Sequence, residues 1–173
     1  EPVDAEALAC AVAETEAWLD RVVIGLGLCP FARAARARGR TRCIATPARD
    51  PESLLAALCV ELQFLAATKA AAVETTLLVH PFVLHDFDDY NDFLDIADAA
   101  VEALGCGGVL QIASFHPGYR FEGTASDDIS NATNRAPHPT LQLLREDSVA
   151  AAAVAFPDSA TIYEANIATM VAL

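Results

Sequence analysis

Over residues 4–26, Leu8, Val12, Trp18, Leu19, Val22 and Val23 recur near helical spacing, with Glu14, Glu16 and Asp20 outside that stripe. The pattern predicts an amphipathic helix that closes at Gly25 and Gly27. Residues 31–38 predict a short second helix with Pro30 at its first position. A strand follows over residues 41–46. Asp50, Pro51 and Glu52 then cap a helix over residues 53–68 whose Leu54, Leu55, Leu58, Leu62 and Leu65 face a core. Thr75 to Val79 is a continuous apolar, β-prone run, as a buried strand requires.

Residues 86–104 form an amphipathic helix carrying Phe87, Tyr90, Phe93, Leu94 and Ile96, ended by Gly105, Gly107 and Gly108. Residues 109–115 read as another buried strand. From His116 to Pro139 the chain loses its period and is rich in Gly, Asp, Asn and Pro. A loop this long inside a domain is usually functional or disordered. Residues 140–155 predict a helix, and a last helix starts at Ser159. Strands alternating with helices make this an α/β chain: a small sheet of three to four strands covered by about five helices. The expected fourth strand lies in the long loop or near Leu84. No internal repeat or linker divides the chain, so residues 1–173 are read as one domain.

Composition changes this picture little. The hydrophobic fraction is 54% and the mean hydropathy +0.32, but much of both is alanine, as in Ala150 to Ala153. No uninterrupted apolar run approaches the roughly 18 residues of a membrane span. Glu1-Pro2-Val3-Asp4 lacks the basic start of a signal peptide. A net charge of −13 disfavours nucleic acid and anionic membrane as partners. Arg33, Arg36, Arg38, Arg40, Arg42 and Arg49 crowd one segment, best read as a solvated helix end and loop rather than an anion site. Cys10, Cys29, Cys43, Cys59 and Cys106 are odd in number and widely spaced. They build no disulfide framework, and they fit a reducing, cytoplasmic location.

Cys29 is the most suggestive of them. It follows a helix stop and precedes Pro30, where exposed N–H groups stabilise a thiolate; Arg33 and Arg36 would add to that. The bland reading is a cysteine closing a turn. His116 leaves the end of the third strand, where ligand sites of open α/β sheets collect. The loop after it holds Tyr119, Arg120, Asp127, Asp128, Asn131, Asn134, Arg135 and His138, and Arg145 with Glu146 follows on the next helix. Arg120, Arg135 and Arg145 converging on one anion is the sharp reading; separate salt bridges are the bland one. His80 and His85 are read as structural. Asp86, Asp89, Asp92, Asp95 and Asp98 drift round a helix as an exposed acidic face. A P-loop, GxGxxG after a strand, GxSxG and HExxH are all absent.

Together the segments resemble the bacterial family catalogued as domain of unknown function 1415. The resemblance runs through Trp18 with Val22-Val23-Ile24-Gly25-Leu26, Leu28-Cys29-Pro30-Phe31-Ala32, and Glu74 to Val79. It continues through Asp86-Phe87, Tyr90-Asn91 and Gln111 to Pro117, and ends with Asn134-Arg135, Pro137, Pro139 and Leu144-Arg145-Glu146. One departure is Gln142, where the family pattern often has histidine. The resemblance implies that Cys29, His116, Asn134, Arg135 and Arg145 belong to family motifs, and it implies no reaction.

The leading expectation is an enzyme in which Cys29 is nucleophile, His116 acid or base, and Asp128 or Asp127 its orienting partner. Asn131, Asn134, Arg135, Arg145 and Tyr119 would hold a small anionic substrate. Two other readings stand beside it: a zinc or iron site drawing on Cys29, His116, His138 and an aspartate, and a binding domain without catalysis. Cofactor, oligomeric state and reaction stay open.

Overall fold

The computed structural model describes residues 2–155 and 159–173. Its order is α1 (Pro2–Trp18), a π-helical segment (Leu19–Ile24), α2 (Pro30–Ala37), β1 (Thr41–Ala45), α3 (Pro51–Ala67), β2 (Thr75–Val79), α4 (Phe87–Ala103) and β3 (Leu110–Phe115). A 3-10 helix (Ile129–Asn134), β4 (Thr140–Arg145), α5 (Glu146–Ala155) and α6 (Ser159–Val171) complete it. The four strands make one mixed sheet in the order β1-β2-β4-β3. β1 runs parallel to β2, and β4 is antiparallel to both β2 and β3. The α/β class and the small helix-covered sheet expected from the sequence are what the chain forms.

One element differs. Residues 140–145 are an inner strand, not the start of a helix, and the helix begins only at Glu146. After Thr140 the segment Leu-Gln-Leu-Leu-Arg is made of good helix formers, and Pro139 before it looks like a helix start. Tertiary context overrides that propensity. The slot between β2 and β3 supplies ladder partners on both sides, and four of the six residues are buried there. The missing fourth strand is therefore this one, neither in the loop nor near Leu84.

The two sheet faces are covered differently. Leu78, Leu141, Leu143 and Leu110 meet the buried rows Leu54-Leu58-Leu62-Leu65 of α3 and Tyr90-Phe93-Ala97-Val101 of α4. Strand alternation sends the neighbours Leu77, Cys43 and Gln142 to the other face. There Leu77 and Cys43 pack with Leu19, Val23, Trp18 and Ala32 from α1, the π segment and α2. The ends of α3 are well fixed. The Asp50 carboxylate accepts from the Ser53 N–H at 2.7 Å, worth about 1 kcal/mol. At the other end the Arg145 guanidinium donates to the carbonyls of Leu65, Thr68 and Val73 at 3.1, 2.7 and 2.7 Å.

α1 passes directly into the π segment. The β-branched run Val22-Val23-Ile24 weakens a regular α ladder. Longer bonds replace it, with the Gly25 N–H donating to Asp20 O at 3.1 Å and the Leu28 N–H to Val23 O at 2.8 Å. Wide turns of this kind are frequent at functional sites. This one turns Leu19 and Val23 onto the sheet beside Leu28 and Cys29.

Candidate functional site

Cys29 sits in extended backbone (φ −142°, ψ 107°), as a residue before proline must, and Pro30 opens α2 immediately after it. The half-buried thiol lines a cavity of about 330 Å³ between the sheet and its α1 side. Leu77 and Gln142 form the floor with Phe115. Trp18, Leu19, Val23, Leu28 and Ala32 form one wall. Phe121, Thr133 and Asn134 of the long loop, with Ile162, Tyr163 and Asn166 of α6, form the other. Of these lining residues none is charged. Trp18 is the sole tryptophan of the chain; its ring meets Phe115 edge-on at 5.3 Å, and its buried indole N–H has no acceptor among the described residues.

The polar side chains of the lining are oriented by the protein itself. Asn134 donates from Nδ2 to Ser114 O at 3.1 Å and accepts from Thr133 Oγ1 at 3.2 Å. Asn166 donates from Nδ2 to Leu28 O at 3.0 Å, tying α6 to the Cys29 turn. Gln142 donates from Nε2 to Thr75 Oγ1 at 3.1 Å. Cys43 belongs to the same layer, and its burial pushes the thiol up to about 12, so it is a packing residue.

His116 lies elsewhere. Its ring is buried on the α4 side, 4.9 Å from Tyr90 and 5.5 Å from Phe87 between centroids. Nδ1 accepts from the Gly118 N–H at 2.9 Å, so the proton is on Nε2, which donates to Leu84 O at 3.0 Å. Leu84 takes the left-handed conformation (φ 58°), at a cost of roughly 1 kcal/mol, and this bond helps to hold it there. Burial holds the imidazole below its ordinary range. Phe115 reaches the cavity while the next side chain, His116, turns to the opposite face, so the sheet stands between His116 and Cys29.

Most of the remaining residues of the expected constellation tie the long loop together. Asp128 caps the 3-10 helix, accepting from the Ser130 N–H and hydroxyl at 2.9 and 2.8 Å. Asn131, fully buried, accepts from the Phe121 N–H and Thr124 Oγ1 and donates to Ala125 O. Arg135 donates to Tyr119 O and Ser126 O at 3.2 and 2.6 Å. Tyr119 stacks edge-on against Phe87 and Phe121. Asp127 is exposed. Arg145 is on β4 rather than a helix, holding the end of α3.

The three arginines do not converge: Arg120 pairs with Asp88 at 2.6 Å, and the other two bond to carbonyls in different places. In the basic segment Arg36 meets Asp20 and Glu16, Arg42 meets Glu61, and Arg49 meets Asp4. His138 meets Glu14 at 2.6 Å. Among the described residues no three His, Cys, Asp or Glu side chains cluster as ligands of one metal ion.

Of the expected site residues, then, only Cys29 and Asn134 reach the cavity. The match to a family model covers residues 10–173, nearly the whole chain. The chain belongs to the family described as protein of unknown function DUF1415. No curated protein matches it, and no solved structure does. Trp18, Leu28 and Cys29 of the cavity stand in segments that carry the family resemblance, and Gln142 is the position at which the chain departs from it, but Gln142, Tyr163 and Asn166 are not among the site residues expected from the sequence. Gln142 carried a signal: it is polar between Leu141 and Leu143, in a segment whose alternation fits a strand with one polar face.

Proposed function

We propose that this member of the family binds a small, uncharged, largely flat molecule in the cavity beside Cys29. The observation that carries the reading is a cavity of about 330 Å³ lined by aromatic and aliphatic side chains, a few amides and one thiol, with no charged residue in its described lining. Pockets of this size and composition suit small ligands whose apolar body is buried and whose few polar atoms meet fixed partners. A bare anion has no cationic partner there, because the guanidinium groups of Arg135 and Arg145 already serve backbone carbonyls. The five free cysteines support a reducing compartment, and we place this binding in the cytoplasm.

The position of the Cys29 thiol on the cavity wall favours a second reading, in which the thiol acts on the bound molecule. In that reading its proton goes to a group other than His116, whose nitrogens both have backbone partners.

Titration calorimetry at pH 7 with 2-methoxynaphthalene and 2-naphthoate tests the proposal. The neutral compound binds, the carboxylate binds at least tenfold more weakly, and Ala32→Leu, which fills the cavity, weakens the neutral compound. Failure of the neutral compound to bind, or tighter binding of the carboxylate that is lost in Arg135→Gln, sinks the reading. Cys29→Ser that keeps binding and loses turnover of a substrate would establish the second.

A further inference from the structure

Gln142 is a polar residue where the fold has least use for one. It stands in the middle of β4, an inner strand, and its neighbours Leu141 and Leu143 are fully buried. A primary amide there is unfavourable unless its polar atoms are matched. Half of it is. Nε2 donates to Thr75 Oγ1 at 3.1 Å, and Thr75 Oγ1 in turn donates to Leu143 O at 2.8 Å. Thr75 is 1% exposed and pairs with Leu144, two residues along β4 and on the same face as Gln142, so this relay is held by the sheet itself.

The relay has a direction. The Thr75 hydroxyl has one proton, committed to Leu143 O, so towards Gln142 it can only accept. The Gln142 NH₂ must therefore face Thr75, and Oε1 must face away. Among the described residues no group donates to Oε1, although it belongs to a side chain lining the cavity. Gln142 itself is only half-buried, on the side of β4 that lines the cavity.

Resting on the proposed reading of this cavity as a small-molecule site, we infer that Gln142 determines which molecule is taken. Its Oε1, set by Thr75, accepts a hydrogen bond from an N–H or O–H group of the ligand. The ligand class is thus narrowed to uncharged, flat molecules carrying a donor on their edge, such as phenols, lactams or heteroaromatic N–H compounds. Gln142 contacts the ligand, and Thr75 is a positioning residue acting through it.

The test compares 2-naphthol with 2-methoxynaphthalene by titration calorimetry at pH 7 on the full chain. Both offer an oxygen acceptor to any donor in the cavity, so their difference isolates the O–H. The wild type prefers 2-naphthol by roughly fivefold to tenfold, the size of one net hydrogen bond. In Gln142→Leu the preference vanishes and 2-methoxynaphthalene binds at least as well as before. In Thr75→Val, which frees the amide to turn, the preference shrinks while 2-methoxynaphthalene is unaffected. This second variant decides the matter should the first fail to fold. Equal binding of the two compounds to the wild type, or a preference that survives both substitutions, overturns the inference and leaves the cavity reading standing. Binding of neither compound overturns both.

Discussion

The two faces of the sheet are built on opposite principles. On the α3–α4 face, Leu54, Leu58, Leu62, Leu65, Leu78, Leu141 and Leu143 are all fully buried, and Tyr90 locks the layer together. Its hydroxyl donates to Thr140 O at 2.8 Å and accepts from the Phe115 N–H at 3.0 Å, bridging β4 and β3. On the α1–α6 face the regular α1 shares the cover with a π-helical segment, the short α2 and α6, many side chains are half-buried, and about 330 Å³ stays open. Close packing leaves no room to bind anything, and an open layer adds less to stability. One face holds the fold, and the other carries the cavity of the proposed ligand site.

Core truncation is the largest expected break between them. Leu62→Ala, on the packed face, should lose about 3 kcal/mol in urea unfolding, because the hole it leaves is fully enclosed. Val23→Ala, on the cavity face, should lose about 1 kcal/mol, its side chain already bordering open space. Equal losses would erase the distinction.

Acid should act on the packed face in particular. His80 is fully buried, its Nδ1–H donates to Val83 O at 3.1 Å, and among the described residues Nε2 has no partner that would accept a second N–H. Tyr90 stacks on it, and His116 and His85 oppose a further positive charge. Burial lowers its imidazole from the ordinary 6.5 to about 4. Above 6.5 both folded and unfolded chains leave it neutral. Between 6.5 and about 4 only the unfolded chain takes up the proton, so stability falls as pH falls through that window. His116, held low by burial, acts in the same direction. The loss reaches roughly 2–3 kcal/mol by the bottom of the window. Urea midpoints from pH 7.5 to pH 4 should show it, and His80→Phe should flatten the slope; a slope unchanged by that substitution would place the effect elsewhere.

The smallest effect sharpens the comparison most. His116→Ala leaves Leu84 O and the Gly118 N–H without partners and should cost about 2 kcal/mol, with little change in binding of 2-methoxynaphthalene. Cys29→Ala should cost under about 1 kcal/mol and change that binding. Denaturation and calorimetry on the same two variants suffice. The opposite pattern would move the site to the His116 face.

Much of this molecule was legible in the chain. The α3 and α4 stripes, the β2 run, the Asp50 cap and the Cys29-Pro30 start of α2 follow from local periodicity and backbone sterics, and such signals do not depend on distant partners. The acidic face of α4 was read correctly for the same reason: Asp89, Asp92 and Asp95 are exposed. Local rules failed at β4, where intrinsic preference and tertiary pairing disagree. They also had no means of saying where the loop's polar groups point. Asn131, Arg135 and Asp128 look like binding groups in sequence, yet a long irregular segment must pair its own backbone polar groups, and these side chains do that work. The side of the sheet on which Cys29 and His116 fall depends on strand alternation and helix placement together. Neighbouring residues Phe115 and His116 part company there, and only the assembled sheet separates them.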